Sequence, residues 1–537
     1  MHSEGSYFLN KCHHEATFSC ECALKISTYF GDHMVLQRAP QQAVLWGTAD
    51  TEGDTVTVRL EGQGSDTREV IANVTQGQWK VKLPSTGPGG PYVIHVNSSD
   101  GDATLRDVLF GDVWLCSGQS NMQFIFGQVF NATEEITKAV NYTNIRIFQP
   151  GNVRSDTEED DLNLLWIPWT QPTASTVRRF SGLCFLFGEY LQPHLGNVPL
   201  GLVEAAWGGT TIEAWSPPVA VNACAPVVHS RQPPDCCPQV PLVIWNSMIH
   251  PILSTTLYGA IWFQASANSD HPELYSCQFT NMIKWWRHYF HESSLGETPA
   301  DLPFGFVQLG TMNDTSTNGT GIFPYMRWAQ TANYGYSPNP SLPNTFMAVA
   351  MDLPDINSPY GTIHTRDKQD VARRLVPGAL NVAYGYKDVV FQGPFPTDIT
   401  AYNSSQEVII EYSHGAVPLD VRSTDGFQVC CSEDSSTSCS GKYGWEDAPI
   451  TGHDVSHVTV TYAACGSRHL VGLRYAWRST PCGVMQCPLY AADTGLPAPP
   501  YIQKTAPVCC VKNDDTKCDD ARDTLVAAPI KSTNVSL

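Results

Sequence analysis

Positive charge is scarce in this chain, and long apolar runs are missing. Against 52 acidic residues stand 32 lysines and arginines in 537 residues, a formal charge of −20. No basic cluster breaks this balance, so it disfavours nucleic-acid phosphates and anionic membrane surfaces. An anionic ligand would need a local cation to offset the field. No stretch of about 18 apolar residues occurs, which leaves a membrane-spanning helix without a candidate. No CxxC pair is followed by another at zinc-ribbon spacing, the hydrolase pattern G-x-S-x-G is absent, and no internal repeat suggests a solenoid.

Cysteine, by contrast, is plentiful. The 18 cysteines include the adjacent pairs Cys236/Cys237, Cys430/Cys431 and Cys509/Cys510, and disulfides account for them better than metal ligation. N-x-[ST] sequons at Asn73, Asn97, Asn131, Asn141, Asn313, Asn318, Asn403 and Asn534 predict N-linked glycans and a secreted or lysosomal protein. The opening MHSEGSYFLNKCHHEATFSCECALKIS lacks an apolar stretch of signal-peptide length. Because cysteines and sequons run through the whole chain, the expectation is that the true start is missing or misplaced.

The length exceeds what one hydrophobic core usually serves, so two or three units are expected. Residues 1–24 are poorly defined by pattern. Residues 25–105 alternate as short strands, such as DTVTVRL and PYVIHV, and predict a β-sandwich-like unit. Residues 106–385 change character: VLFGDVWLC, VPLGLVEAAW, LYGAIWF and NTFMAVAMDL read as buried parallel strands, each ending in a polar or glycine-rich turn. Open α/β sheets gather their ligand groups at such strand ends. The helical pattern beginning at HTRDKQDVARRL places His364 at a helix entrance, with Pro377 expected to kink or break the helix. Strands return over residues 386–505 in a second β-rich unit, and residues 506–537 read as a loose tail.

Ser120, in DVWLCSGQSNM, follows a buried strand between Gly118, Gln119 and Asn121. A turn there can project a hydroxyl, and a neighbouring backbone N–H can serve an oxyanion. Taken alone, the segment reads first as an ordinary strand-to-loop serine. Gly208 and Gly209 after the second strand permit close backbone approach, Asn268 after the third could donate to an oxyanion, and His364 after the fourth could act as general base. The succession of four turns on one sheet is what gathers them.

The phrases DVWLCSGQSNM, WGGTTIEAW, WNSMIHPIL, GAIWFQ and NTFMAVAMDLPDINSPYGTIHTRDKQ resemble sialate O-acetylesterases, a branch of the SGNH hydrolase superfamily. The resemblance runs from about residue 28 to 505 and includes RYAWRSTPC, QCPLY and LPAPPYI near the end. It implies a three-layer α/β/α hydrolase with a flavodoxin-like parallel sheet and β-rich accessory domains at both ends. It implies an enzyme that needs no metal or organic cofactor and removes O-acetyl groups, preferentially 9-O-acetyl, from sialic acids or sialoglycans. Residue by residue, Ser120 matches the nucleophile and His364 the base. Gly209 and Asn268 are the nearest matches to the oxyanion-hole glycine and asparagine that join the Ser120 amide.

Departures from the family pattern are local. Where members carry W-Y-Q-G-E-S-N, this chain has Trp262-Phe263-Gln264-Ala265-Ser266-Ala267-Asn268, replacing a glycine and a glutamate. The aspartate often found three residues before the histidine is Gly361 here. Asp352, Asp355 and Asp367 are therefore candidate orienting acids, with a Ser-His dyad assisted by a backbone carbonyl as the simpler expectation. Gln119, Gln264, Arg327 and Arg366 are candidate substrate contacts, the arginines because a guanidinium pairs with a carboxylate bidentately. Two alternatives remain open at this point: an acetylesterase for another acetylated carbohydrate, and a weakened paralogue that binds glycans.

Overall fold

The computed structural model describes residues 23–62, 67–226, 237–313, 321–412, 418–434, 439, 444–504 and 508–510. Asn318, Asn534, Cys236, the segment before residue 23 and most of the tail lie outside the described residues.

Seven strands form the central sheet: β1 (Gly101–Gly118), β2 (Ile145–Pro150), β3 (Leu165–Thr170), β4 (Leu200–Ala206), β5 (Gly259–Phe263), β6 (Phe304–Gln308) and β7 (Thr345–Val349). Their order is β3-β2-β4-β1-β5-β6-β7. All neighbours run parallel except the edge pair β2 and β3. Among the parallel strands the order reverses beside β1, which makes its carboxyl end a switch point where α/β sheets open a crevice.

The four apolar runs behave as buried strands do, alternating side chains between two cores. Val113 and Leu115 of β1 join one core, while Trp114 and Cys116 join the other. Ala260 and Trp262 of β5 oppose Ile261 and Phe263 in the same way. Helix α2 (Gly182–Leu191) and helix α5 (Lys368–Val382) pack with the second core, whereas α3 (Pro272–Ser293) and α4 (Phe323–Gln330) pack with the first. A Cys116–Cys184 disulfide ties β1 to α2. Of the two outcomes expected at Pro377, a kink or a break, the break does not occur: Pro377 lies inside α5 without ending it. The buried face formed by Val371, Leu375, Ala379 and Leu380 holds the helix together across the lost hydrogen bond.

The boundary expected near residue 105 falls inside β1, an 18-residue strand. Its first half pairs antiparallel with Gly89–Ser98 in the N-terminal β-rich region, and its second half is the middle of the central sheet. Toward the C-terminus, strands form sheets of five, two and four members. Within the stretch read as a loose tail, Val508–Cys510 adds a parallel strand beside Asp398–Tyr402. The disulfides Cys430–Cys439, Cys431–Cys465 and Cys482–Cys487 lie in this region, and Cys224–Cys277 lies in the central one. Asn73, Asn97, Asn131, Asn141, Asn313 and Asn403 are all exposed.

Arg327 is one of the side chains that join the central and C-terminal regions by hydrogen bonds. Arg327, on α4, is fully buried, and its guanidinium donates to the carbonyls of Leu309, Gly310, Arg478 and Ser479. Burial pushes its pKa down to about 9. This overturns the expectation that Arg327 meets a substrate carboxylate, because its donors are spent on backbone. Arg327→Met keeps most of the volume but strands four carbonyls. It should cost about 3 kcal/mol or more, read as a lower urea denaturation midpoint.

Candidate active site

The ends of three strands are aligned at one point: Gly118 is in register with Ala206 of β4 and with Phe263 of β5. Gly118 takes a φ of 138°, and a Cβ there would overlap the Phe263 carbonyl, so glycine is required. The chain then turns into helix α1 (Ser120–Gln123). Ser120 opens this helix, where first-turn N–H groups have no intrahelical acceptor.

The loop after β7 brings His364 to the same place. His364 Nε2 lies 2.8 Å from Ser120 Oγ, and Nδ1 lies 2.6 Å from the Tyr360 carbonyl oxygen. A carbonyl can only accept, so Nδ1 carries the proton and Nε2 is left to accept from the serine hydroxyl. Burial lowers the His364 pKa, with the positive charge of Lys368 adding to the shift and the Tyr360 carbonyl opposing it.

A buried clamp fixes the two loops to each other. Asn121 Nδ2 donates to the Ile363 carbonyl at 3.0 Å, and Lys368 Nζ donates to Asn121 Oδ1 at 2.8 Å and to the Thr365 carbonyl. Lys368 is fully buried, its ammonium faces the Phe124 ring, and burial pushes its pKa down to about 7. Sequence reasoning passed over this residue, since a lysine near a helix start ordinarily reads as solvated.

The candidate orienting acids are corrected by their partners. Asp352 pairs with Arg374 through both oxygens and accepts from the Tyr490 hydroxyl. Asp355 pairs bidentately with Arg366, and Asp367 caps α5 by accepting from the Asp370 amide. The backbone carbonyl of Tyr360 occupies the place each would need.

Most candidate substrate contacts are also committed elsewhere. Gln119 is buried, donating to Ser266 Oγ at 2.6 Å and accepting from the amides of Ala265 and Ala267. Gln264 donates to Thr210 O and Asn268 Oδ1, and accepts from the Tyr275 hydroxyl. Both are therefore scaffold residues. Arg366 is neutralised by Asp355 and stacks on Phe130. Asn268 is 1% exposed, accepts from the Ile212 amide and Gln264, and donates to Glu213. Its amide oxygen and one amide hydrogen belong to this buried network. Gly208 is the glycine against Ser120, but its N–H donates to Gln123 Oε1 at 2.8 Å. Gly209 follows at a φ of 74°.

A cavity of about 510 Å³ opens over Ser120 and His364. Its wall includes Gln123, Gln149, Trp166, Ile167, Arg179 and Tyr360, none of them singled out by sequence. Trp166 and Ile167 are adjacent on β3, where alternation would send them to opposite faces. Burial does alternate there, Trp166 being exposed and Ile167 buried in the second core, and both contribute to the cavity wall.

Ala265 stands where the family pattern has glycine, and it adopts a φ of 135° while completely buried. That conformation disfavours any residue with a Cβ, at a cost of about 1–3 kcal/mol. Ala265→Gly should release enough strain to outweigh the lost methyl contacts, raising thermal stability by about 0.5–1 kcal/mol. Calorimetry of the two proteins checks this.

Comparisons with known proteins agree in direction. A family model described as carbohydrate esterase, sialic acid-specific acetylesterase, matches residues 110–376, and one for the sialate O-acetylesterase C-terminal domain matches residues 397–505. The sialate O-acetylesterases of Mus musculus and Homo sapiens are each 39% identical to this chain over 90% of its length, covering 95% and 93% of those proteins. A crystal structure of a carbohydrate acetylesterase from Xanthomonas citri superposes with a TM-score of 0.73 at 26% identity, over 89% of this chain and 99% of that one. With its α/β fold, large mixed sheet and C-terminal β-rich region, this chain belongs to the sialate O-acetylesterase family and is a carboxylic ester hydrolase.

Proposed function

We propose that the protein hydrolyses O-acetyl esters of sialic acids, with 9-O-acetyl preferred, through an acetyl-enzyme on Ser120. The observation that carries this reading is the chain of contacts from Ser120 Oγ to His364 Nε2 and from His364 Nδ1 to the Tyr360 carbonyl. His364 takes the Ser120 proton as the oxygen attacks the acetyl carbonyl carbon. It then returns that proton to the sugar oxygen, which leaves as the alcohol. Water, deprotonated by the same Nε2, attacks the acetyl-enzyme and releases acetate and free Ser120. The Ser120 and Gly209 amides serve as donors to the oxyanion, the Gly208 amide being engaged with Gln123.

The fold is read as the three-layer SGNH type, supported by two cores on opposite faces of a parallel sheet. A secretory or lysosomal setting, with N-linked glycans, is supported by the disulfides and by six exposed sequon asparagines.

Ser120→Ala should lose about 10⁴-fold or more in kcat on both a chromogenic acetate ester and 9-O-acetylated sialic acid. Equal rates in variant and wild type would remove the assignment, and a faster wild-type rate on 4-O- than on 9-O-acetyl substrate would remove the positional preference.

The pH dependence follows from the burial of His364. Imidazolium cannot accept the serine proton, so activity disappears as pH falls through the folded-state pKa. That pKa is depressed, so the acid limb of kcat/KM should lie below the ordinary imidazole value near 6.5. Lys368→Met removes a positive charge that lowers the His364 pKa, and the limb should move toward higher pH.

A further inference from the structure

The chain carries a large negative charge, and the cations named beside the active site are already engaged. Arg366 pairs with Asp355, and Lys368 is bonded to Asn121 and Thr365. Arg179 differs. It is exposed, lies on the wall of the Ser120 cavity, and has no acidic partner among the described residues. No aspartate or glutamate lines that cavity.

The backbone that presents Arg179 is fixed to the nucleophile's own turn. Phe126 N–H donates to the Phe180 carbonyl and Gly182 N–H to the Phe124 carbonyl, at 2.8 Å each. Ser181 Oγ donates to the Met122 carbonyl at 2.6 Å, and the Ser181 amide donates to the buried carboxyl group of Glu204. Burial raises the Glu204 pKa well above the usual carboxylate range. Arg179 therefore leaves a rigid point at a fixed separation from Ser120, while its guanidinium stays open to a ligand. On the same wall, Trp166 is 43% exposed despite its size and offers a flat apolar face.

We propose that Arg179 is the carboxylate-recognition residue of this ester site, pairing with the acid group of an acetylated sugar acid while Trp166 packs against the sugar. This rests on the reading of Ser120 and His364 given above and adds the residue that selects an anionic over a neutral acetyl sugar. A guanidinium meets a carboxylate with two parallel donors. At a solvent-open site the expected selectivity is on the order of tenfold.

The test compares kcat/KM for 9-O-acetylated sialic acid with that for its carboxylate methyl ester, in wild type, Arg179→Ala, Arg179→Lys and Arg179→Glu. Wild type should favour the free acid by about tenfold. Arg179→Ala should bring the ratio near one, Arg179→Lys should keep part of it, and Arg179→Glu should invert it. A ratio unchanged in Arg179→Ala and Arg179→Glu, with wild type active on the free acid, overturns the Arg179 assignment alone. A wild type that cleaves neutral acetyl sugars but neither sialic acid form overturns the substrate reading, and this assignment with it. Matching melting temperatures across the set establish that the changes are not losses of fold.

Discussion

The architecture of the site depends on one close approach, that of Gly118 to the carbonyl of Phe263. No side chain fits between β1 and β5 at that point. The two strands can therefore end level with each other and with β4. Level strand ends bring the serine turn, the Gly208–Gly209 turn and the Gln264–Asn268 turn together at one end of the sheet. The histidine loop, which starts two strands away, is then held to the serine turn by the Asn121–Lys368 clamp.

Polar groups around the site are mostly consumed in building it. Gln119 and Gln264 hold turns, Asp355 and Arg366 cancel each other, and Asn268 completes a buried network with Glu213. This follows from the cost of leaving a buried donor or acceptor without a partner. In a site made by loops crossing at the ends of buried strands, backbone amides and carbonyls need partners first. The cavity itself is left with the Ser120 hydroxyl, the His364 imidazole and the Arg179 guanidinium, together with the side chains of Gln123, Gln128, Gln149 and Tyr360. A backbone carbonyl suffices to set the imidazole tautomer, and it adds no further negative charge to an already acidic protein.

Legibility in the sequence divided along the same physical line. Buried parallel strands announce themselves as continuous apolar runs, so β1, β4, β5 and β7 and the turns after them were readable, and with them the meeting of Ser120 and His364. A backbone carbonyl behind His364 was the simpler expectation, but that Tyr360 supplies it could not be read, because every residue carries one. The misassigned Asp352, Asp355, Asp367, Arg327 and Arg366 share a cause: sequence gives the charge of a side chain but not its partner. Trp166 escaped notice because it is an exposed side chain on the antiparallel edge strand β3, and pattern reading singles out the buried positions of a strand. Arg179 looked like any surface arginine until Phe180 and Ser181 were seen bonded to the serine turn.

The long strand β1 has a consequence for how such a chain can change over time. Its first half is shared with the N-terminal sheet and its second half with the central one. Within the second half, successive side chains serve opposite cores. Losing or gaining a single residue there would exchange the two sets of side chains and turn Ser120 away from the cavity. Length in this strand is therefore inherited like a gear ratio. Mutations can replace its teeth one at a time, but a change in their number must come in pairs or be compensated within the N-terminal sheet.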